Sequence, residues 1–332
     1  MTSTVKPFQP PALTGEPERA GAGRGRRVAV LIPCYNESAA VGTVVRDFRA
    51  ALPEAAIYVY DNNSKDDTVE VARAAGAIVR QEKRQGKGNV VRRMFADIEA
   101  DAYVLVDGDA TYHAPSAPSM LNLLFEESVD MVVGCRRHEA DDAYRAGHQF
   151  GNALLTGFVA KLFGRNFTDI LSGYRVFSRR FVKSFPALAV GFETETELTV
   201  HALELRMPVA ELVTPYGARP EGSVSKLSTY RDGFRILRLI LALYRHERPL
   251  QYFSYLGSAL VLLALVLGVP VIAEWLRTGL VLRFPTAILA TGIMLVAVLS
   301  FALGLILETV TRGRQELKRL MYLQLSRIDI SS

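Results

Sequence analysis

The chain has 332 residues, a length that corresponds to about two domains of ordinary size. Apolar residues make up 49% of the chain and charged residues 22%, a composition that excludes a mainly disordered protein. The net charge of +5 is too small for a protein that coats nucleic acid, so no nucleic-acid partner is expected. The two cysteines, Cys34 and Cys135, exclude a disulfide framework and fit a reducing compartment.

Residues 1–27 contain several prolines, glycines and arginines and lack a periodic apolar pattern, so they predict a flexible N-terminal arm. No signal-peptide pattern opens the chain. We therefore expect the large N-terminal part of the protein to stay in the cytoplasm, and any catalysis to take place there.

Residues 28–228 alternate between short β-rich runs and amphipathic stretches. The strand-like runs lie at 28–32, 57–60, 77–79, 103–106 and 130–134, and the helix-like stretches include 38–52, 66–75 and 88–99. Strands that alternate with helices predict an α/β fold with a mostly parallel, doubly wound sheet. In such sheets, ligands bind at the carboxyl ends of the strands.

Three of the predicted strands end in polar or acidic residues that would share this edge of the sheet. The first ends in the segment 33–37, Asp61 and Asn62 follow the second, and Asp107 and Asp109 follow the fourth. The glycine between the two aspartates permits a tight turn, so one or both carboxylates can bind Mg²⁺ or Mn²⁺ together with diphosphate oxygens. A single aspartate after a strand is also typical of a helix cap or a turn. The convergence of three strand ends favours ligand binding.

Seven segments of the chain occur in the order typical of glycosyltransferase family 2. They are VLIPCYNES, YDNNSKDDT, RQGKGN, VLVDGDATY, DILSGYRVFSRR, GFETETEL and RPEGSVSKL. With its two apolar segments near the carboxyl end, the chain resembles the polyprenyl-phosphate branch of the family, which is similar to dolichyl-phosphate mannose or glucose synthases. The resemblance covers residues 28–230 and both apolar segments. It implies a catalytic domain of the glycosyltransferase A type, which is Rossmann-like, and a nucleotide-sugar donor.

The resemblance also implies roles for residues on the predicted edge of the sheet. Those that would bind the donor are Pro33, Tyr35, Glu37, Asp61, Asn62, Lys87, Asp107 and Asp109. Within this set, Asp107 and Asp109 match the metal and diphosphate motif, and Lys87 is expected near the base and ribose. Many relatives have a second aspartate where this chain has Asn62, and a glutamine where it has Thr111, so the base and the sugar stay open.

The segment RPEGSVSK resembles a loop that clamps the donor diphosphate. Arg219, Ser225 and Lys226 would supply a guanidinium fork, a hydroxyl and a point charge to the departing nucleoside diphosphate. The same three residues also fit a basic surface loop that binds lipid headgroups.

Four further residues match positions near the reacting atoms. The resemblance places Asp169 near the sugar carbon, with Glu195 as the reserve catalytic carboxylate. Arg136 matches the position associated with the lipid phosphate, and Arg175 would orient Asp169 or meet the acceptor. A structural salt bridge would explain each of these residues nearly as well. A phosphate acceptor, with a second pKa of about 6, is largely anionic at neutral pH and needs little general-base help.

Residues 229–249 predict an amphipathic helix that lies in the plane of the lipid headgroups. Arg231, Arg235, Arg238 and Arg245 recur at helical spacing beside apolar residues. The alternative is a helix that packs against the catalytic domain, and both interpretations can hold together.

Two long uncharged segments predict a transmembrane hairpin over residues 250–308. Segments of 25 and 24 uncharged residues follow Arg248 and Arg283. As helices, both are roughly 36 Å long, enough for a bilayer core of about 30 Å. Buried core helices are the alternative. Arginines and lysines flank the hairpin on both outer sides, so the catalytic domain and a basic tail over residues 309–332 are expected on the cytoplasmic side of the cell's inner membrane.

These features together predict an inverting glycosyltransferase that moves a hexose from a UDP- or GDP-sugar to polyprenyl phosphate on the cytosolic leaflet. The expected cofactor is Mg²⁺ or Mn²⁺, and the expected partners are the nucleotide sugar, polyprenyl phosphate and membrane lipids. The alternatives are a membrane glycosyltransferase with another acceptor, such as a lipid or a growing polysaccharide, and a non-catalytic scaffold. Small residues at Gly257, Ser258 and Gly292 offer contact faces for a homo-oligomer.

Overall fold

The computed structural model describes residues 25–138, 157, 167–186, 193–218, 238 and 241–325. Several sequence predictions fall outside the described residues. They concern nearly all of the N-terminal arm, the three residues of the diphosphate clamp and most of the amphipathic helix, of which residues 238 and 241–247 are described as helical.

The part of the chain before residue 219 is built on one seven-stranded mixed sheet. Its strands are β1 (Val28–Cys34), β2 (Ala56–Asp61), β3 (Ile78–Gln81), β4 (Ala102–Leu105), β5 (Met131–His138), β6 (Arg175–Ser178) and β7 (Val209–Tyr216). Their order across the sheet is β3-β2-β1-β4-β6-β5-β7. All pairs except those made by β6 are parallel, which confirms the predicted α/β fold with a mostly parallel sheet.

Six α-helices and one short 3₁₀-helix, Ala114–Ser116, accompany the described sheet. The α-helices are α1 (Val41–Ala51), α2 (Thr68–Ala74), α3 (Lys87–Asp97), α4 (Ala117–Glu126), α5 (Arg179–Ser184) and α6 (Thr194–Glu204). Successive β1 residues alternate between two buried clusters, because side chains along a strand point to opposite faces. Leu31 belongs to one cluster, and Val30 and Ile32 belong to the other. Both faces of the sheet are therefore covered, as expected of a doubly wound fold.

Strand β6 interrupts the parallel order between β4 and β5 and runs antiparallel to both. Because β6 reverses direction, β5 runs in the same sense as β4, and the carboxyl ends of β1, β2, β4, β5 and β7 share one edge of the sheet. The segment 167–174 arrives at that edge before β6 begins. The sequence did not predict β6 or β7, although it predicted the first five strands.

Two long helices, α7 (Pro249–Thr278) and α8 (Phe284–Gln324), follow the strands of the sheet in the sequence. Both are long and apolar enough to be candidate membrane spans. Most of the large exposed apolar side chains of the described chain lie on them, as expected for helices that face lipid. Helix α8 does not end with its apolar part, because residues 309–324 of the predicted tail continue the same helix.

Helices α7 and α8 pack closely against each other at two glycines. A Cβ atom added at Gly257 would lie 2.9 Å from the ring of Phe301 and 3.2 Å from the carbonyl oxygen of Ala297. On the other helix, a Cβ added at Gly304 would lie 2.9 Å from Phe253. Gly257 therefore serves packing within one chain, so the sequence-based view of it as a contact face between copies is not supported.

We expect Gly257→Ala to destabilise the helix pair by about 1–3 kcal/mol, because the methyl group overpacks a tight contact. Gly292→Ala is the matched control, because a Cβ at Gly292 meets nothing within 4 Å. Thermal unfolding of both purified variants in the same detergent measures the difference. Equal melting temperatures would show that the close approach is not needed.

Candidate active site at the carboxyl edge of the sheet

Three neighbouring strands bring their carboxyl ends together at one edge. Cys34 of β1 lies beside Asp61 of β2, and the backbone N–H of Asn62 donates to the carbonyl of Cys34 at 2.9 Å. On the other side of β1, the turn after β4 begins two residues past Leu105, which pairs with Leu31. The predicted convergence of these strand ends is thus present in the structure.

The turn after β2 uses its polar side chains to hold backbone. Asp61 is buried and accepts hydrogen bonds from the N–H groups of Asn63 and Ser64 at 3.2 and 3.1 Å. Asn62 donates to the carbonyls of Glu82 and Arg84 and accepts from the N–H of Gly86 at 2.7 Å. The side-chain amide of Asn62 thus holds the loop that leads into α3 through hydrogen bonds to its backbone.

The residues predicted to bind the nucleoside on the β1 side lie together at this edge. Pro33, Tyr35 and Glu37 are all half-buried. The carbonyl of Glu37 accepts from the backbone N–H groups of Ala40 and Val41 at 3.0 and 2.9 Å, and so fixes the start of α1. This geometry leaves their donor-binding role as a prediction.

The turn Asp107-Gly108-Asp109 is tightly constrained. A Cβ atom at Gly108 would lie 2.6 Å from the sulfur of Cys34, so only glycine fits there. Asp109 is buried, and its Oδ1 atom accepts from the hydroxyl of Thr111 at 2.6 Å. Ala110, between them, has a φ of 58°, a left-handed conformation that is uncommon outside glycine. The turn is therefore preorganised, with Thr111 fixing one carboxylate.

A buried lysine joins two carboxylates at the centre of the site. The ammonium of Lys87, at the start of α3, contacts Asp107 at 2.5 Å and also contacts Glu195 of α6. Burial alone would lower the pKa of Lys87, but the charges of Asp107 and Glu195 raise it above its ordinary value. Lys87 was expected near the base and ribose. Its ammonium lies at the acidic turn and stays charged at any physiological pH, and its role near the base and ribose stays a prediction.

The second oxygen of Glu195 is one of several unsatisfied buried polar atoms in the described chain. Its Oε2 atom is buried and has no hydrogen-bond partner among the described residues. A buried carboxylate oxygen without a partner is costly, because the water that it loses is not replaced. Such an unsatisfied acceptor needs an explanation, such as an ordered water, an ion or a ligand.

The segment before β6 closes over Asp107. A Cβ atom at Gly173 would lie 2.4 Å from Oδ2 of Asp107, so a larger residue there must displace the carboxylate. The N–H of Gly173 donates to the hydroxyl of Tyr112 at 2.8 Å. Sequence reasoning missed both Gly173 and Tyr112, because their signal is a single glycine and a single aromatic residue inside longer motifs.

A second ion pair lies at the carboxyl end of β5. Arg136 donates from Nε and Nη2 to the two oxygens of Asp169, both at 2.7 Å. The guanidinium also lies 5.6 Å from the ring centre of Tyr216. Burial alone would raise the pKa of Asp169, but hydrogen bonds from Arg136 and its charge lower it below the ordinary value. Asp169 is consequently a weak base in this structure.

The segment predicted to clamp the diphosphate follows strand β7 in the sequence. The N–H of Gly217 donates to the carbonyl of Thr111 at 2.9 Å, and Tyr216 forms an isolated bridge with Tyr112. The described region therefore ends beside the turn that carries Asp109, at Ala218, the residue directly before Arg219. The clamp residues themselves lie outside the described residues.

Arg175 is placed differently from the prediction. It is fully buried, and it donates to the carbonyls of Ser172 and Ile170 at 2.9 and 2.5 Å and to the hydroxyl of Thr199 at 2.8 Å. These partners belong to the protein interior. The structure thus gives Arg175 a role in holding the segment before β6, and it does not bring its guanidinium to the site as an acceptor-phosphate ligand.

The acidic turn fits a divalent cation that is shared with a substrate. In the described part of the chain, no group of three or more histidine, cysteine, aspartate or glutamate side chains is arranged to hold a metal. Mg²⁺ and Mn²⁺ need only one or two carboxylates when substrate phosphates complete the shell. Asp107 and Asp109 supply such hard oxygens, and the orphaned oxygen of Glu195 lies on the residue that shares Lys87 with Asp107.

Comparison with known proteins agrees with this geometry. The profile of Glycosyl transferase family 2 matches residues 29–185. Glycosyltransferase AglJ of Haloferax volcanii is 36% identical over 253 residues, which are 75% of this chain and 82% of that protein. The fold, the acidic turn and these similarities define a glycosyltransferase. The chain belongs to glycosyl transferase family 2.

Two further similarities concern a relative and a fold neighbour. A dolichyl-phosphate hexose transferase of Haloferax volcanii is 26% identical over 221 residues, which are 67% of this chain and 95% of that protein. Glucosyl-3-phosphoglycerate synthase from Mycobacterium tuberculosis, solved with Mn²⁺ and UDP-glucose, superposes with a TM-score of 0.54 at 24% identity. That match covers 67% of this chain and 79% of the other, and it shows a shared fold.

We expect Arg175→Met to lower the free energy of unfolding by about 2–4 kcal/mol, because buried carbonyls lose their donor. Arg179→Met is the matched control. Its ion pair with Glu99 is largely exposed, so its loss should be nearly neutral. Thermal unfolding of the full chain in detergent compares the two. Equal stability of both variants would reopen a ligand-binding role for Arg175.

Proposed function

We propose that the chain is an inverting glycosyltransferase that moves a hexose from a UDP- or GDP-sugar to polyprenyl phosphate at the cytosolic face of a membrane. The observation that carries this proposal is the buried cluster of Lys87, Asp107 and Glu195 beside Asp109. It concentrates cationic and metal-binding groups where a diphosphate would lie, in a chain that also has two candidate membrane spans.

The donor diphosphate would bind at the acidic turn. Asp107 and Asp109 would hold Mg²⁺ or Mn²⁺, which stabilises the charge on the departing nucleoside diphosphate when bound. Lys87, whose ammonium contacts Asp107, would donate to a diphosphate oxygen. The predicted clamp of Arg219, Ser225 and Lys226 would complete the set, and the hydrogen bond from Gly217, which precedes it, to Thr111 supports that assignment.

The acceptor is inferred from three independent features. The dolichyl-phosphate hexose transferase relative suggests a polyprenyl phosphate, and the paired apolar helices suit a lipid substrate. Both candidate general bases, Asp169 and Glu195, are held in ion pairs with Arg136 and Lys87. A phosphate nucleophile suits such a site, because it carries its own negative charge.

In the proposed reaction, a phosphate oxygen of the lipid attacks the anomeric carbon of the sugar. The bond from that carbon to the β-phosphate oxygen of the donor breaks, and its electron pair leaves with the nucleoside diphosphate. One displacement inverts the configuration and needs no covalent enzyme intermediate. Arg136 is the candidate contact for the lipid phosphate, and Asp169 orients its guanidinium fork.

The membrane orientation is part of the same proposal. Basic residues precede α7 and follow the apolar part of α8, whereas the short connection between the helices contains few. We therefore place the catalytic domain and the tail in the cytoplasm, with the hairpin in the inner membrane.

The reaction can be tested by incubating membranes that contain the full chain with labelled nucleotide sugars and polyprenyl phosphate. A labelled glycolipid that mild acid hydrolyses would support the proposal, and a panel of donors would identify the base and the sugar. Label that enters a polysaccharide or another lipid without requiring polyprenyl phosphate would contradict it.

We expect Asp109→Ala to reduce transfer by roughly a hundredfold or more, because the buried carboxylate and its diphosphate-bound cation act on the leaving group. Membrane insertion should stay intact. Asp47→Ala, a change of an exposed acid on α1, controls for a general loss of charge. Strong metal-independent transfer by Asp109→Ala would contradict the assigned role.

The contact between Lys87 and Asp107 leads to a prediction about metal binding. Because the ammonium competes with a metal for this carboxylate, Lys87→Met should bind Mn²⁺ alone more tightly, by roughly tenfold, or about 1.4 kcal/mol. The same variant should bind nucleoside diphosphate with Mn²⁺ more weakly, since a diphosphate donor is lost. Titration calorimetry measures both, with Lys83→Met as an exposed control. Weaker binding of Mn²⁺ alone by the variant would show that Lys87 does not compete with the metal.

A further inference from the structure

The cytosolic end of α8 packs on the catalytic domain through one polar face. Arg314, Lys318 and Tyr322 recur at intervals of four residues, the spacing that places side chains on the same face of a helix. We call these three residues the docking face of α8. Each contacts a carboxylate outside α8. This part of the basic tail therefore packs against other parts of the same chain.

Two of these contacts reach the catalytic domain. The ammonium of Lys318 lies 2.7 Å from Oε2 of Glu204, whose side chain is 1% exposed. The hydroxyl of Tyr322 donates to Oδ2 of Asp130 at 2.7 Å, and the guanidinium of Arg180 lies 4.9 Å from the centre of its ring. Buried ion pairs are strongly disrupted when one partner is removed, so both contacts fix α8 against the domain.

The third contact joins α8 to the helical residues that precede the hairpin. Arg314 lies 3.3 Å from Glu247. Burial raises the pKa of Glu247, and the charge of Glu204 raises it further, against the opposing effect of Arg314. The two carboxylates therefore lie in one cluster with Arg314 and Lys318, at the junction of the hairpin and the catalytic domain.

Glu204 is also the last residue of α6, the helix that carries Glu195 into the site. The nine-residue separation corresponds to about 14 Å along a helix axis. Nearly every residue of α6 between them is buried, so the helix is packed on most sides. Lys318 lies close to this helix through its contact with Glu204, and its charge, after burial, contributes to lowering the pKa of His201 to about 3.

We propose that the Glu204–Lys318 ion pair is a positioning contact, through which α8 fixes α6 along its axis and thereby holds Glu195 against Lys87. A rigid, packed helix transmits a displacement at one end to the other, because a packed interior does not deform continuously. The ion pair touches no substrate and acts through Glu195. This inference rests on the proposed function, because it assigns α8 a role in ordering the donor site.

The test uses the full chain in detergent and measures the affinity for Mn²⁺ with UDP or GDP, whichever the wild type binds. Lys318→Gln should weaken this affinity by roughly three- to tenfold. Lys318→Arg should retain it, because the charge and the contact remain. Arg319→Gln removes an exposed charge from the same helix and should have no effect, which separates the ion pair from attraction to headgroups.

Two further variants distinguish positioning from stability. Tyr322→Phe removes a docking contact that does not involve α6, so it should lower the melting temperature and leave the nucleotide affinity unchanged. In a Glu195→Gln background, Lys318→Gln should cause no further loss of affinity, because its effect passes through Glu195. The proposal would be overturned if Lys318→Gln lowered the affinity as much in the Glu195→Gln background as in the wild type. It would also be overturned if Tyr322→Phe lowered the affinity as much as Lys318→Gln does.

This binding experiment stands apart from the proposed reaction. If the wild type binds the metal–nucleotide complex but transfers no sugar to polyprenyl phosphate, the proposed acceptor fails and the coupling through α6 is still measured. If transfer occurs and Lys318→Gln binds nucleotide as the wild type does, only the positioning role fails.

Discussion

The arrangement of the site depends on one buried cation. Lys87 begins α3, and its ammonium is shared between the turn after β4 and the start of α6. Taking the ammonium of Lys87 and the carboxylate of Glu195 largely out of water is unfavourable, and replacing such groups by apolar ones often stabilises a protein. The cluster is therefore better explained by binding than by stability. It holds two carboxylates close together that would otherwise repel each other, at the edge of the sheet where ligands bind.

The mixed topology of the sheet places the other half of the site around this cluster. Because β6 is antiparallel, the segment before it crosses the carboxyl edge and brings Gly173 against Asp107. The same segment carries Asp169 to Arg136 at the end of β5. The guanidinium of Arg175 holds this segment in place by donating hydrogen bonds to two of its backbone carbonyls. The reversal of a single strand thus joins the predicted donor and acceptor sides.

The sequence predicted the parts of this arrangement that depend on local pattern. Apolar runs with intervening amphipathic stretches located five strands, and the acids after them identified the edge. It could not predict β6, a four-residue strand that opens with a buried arginine. Nor could it distinguish the structural Arg175 from a ligand, because both roles use the same side chain. The contact of Lys87 with Glu195 joins residues 108 positions apart, which no local pattern specifies.

The pairing of the acids also bears on the choice of acceptor. A hydroxyl nucleophile must lose its proton during attack, and a carboxylate can accept that proton only if its pKa lies near the working pH. The pKa of Asp169 is lowered by Arg136, which disfavours protonation. The carboxylate of Glu195 contacts the ammonium of Lys87. An acceptor that arrives already ionised avoids both requirements, and the same arginine that weakens Asp169 as a base suits a phosphate. The lowered pKa of Asp169 therefore favours the proposed phosphate nucleophile over a hydroxyl.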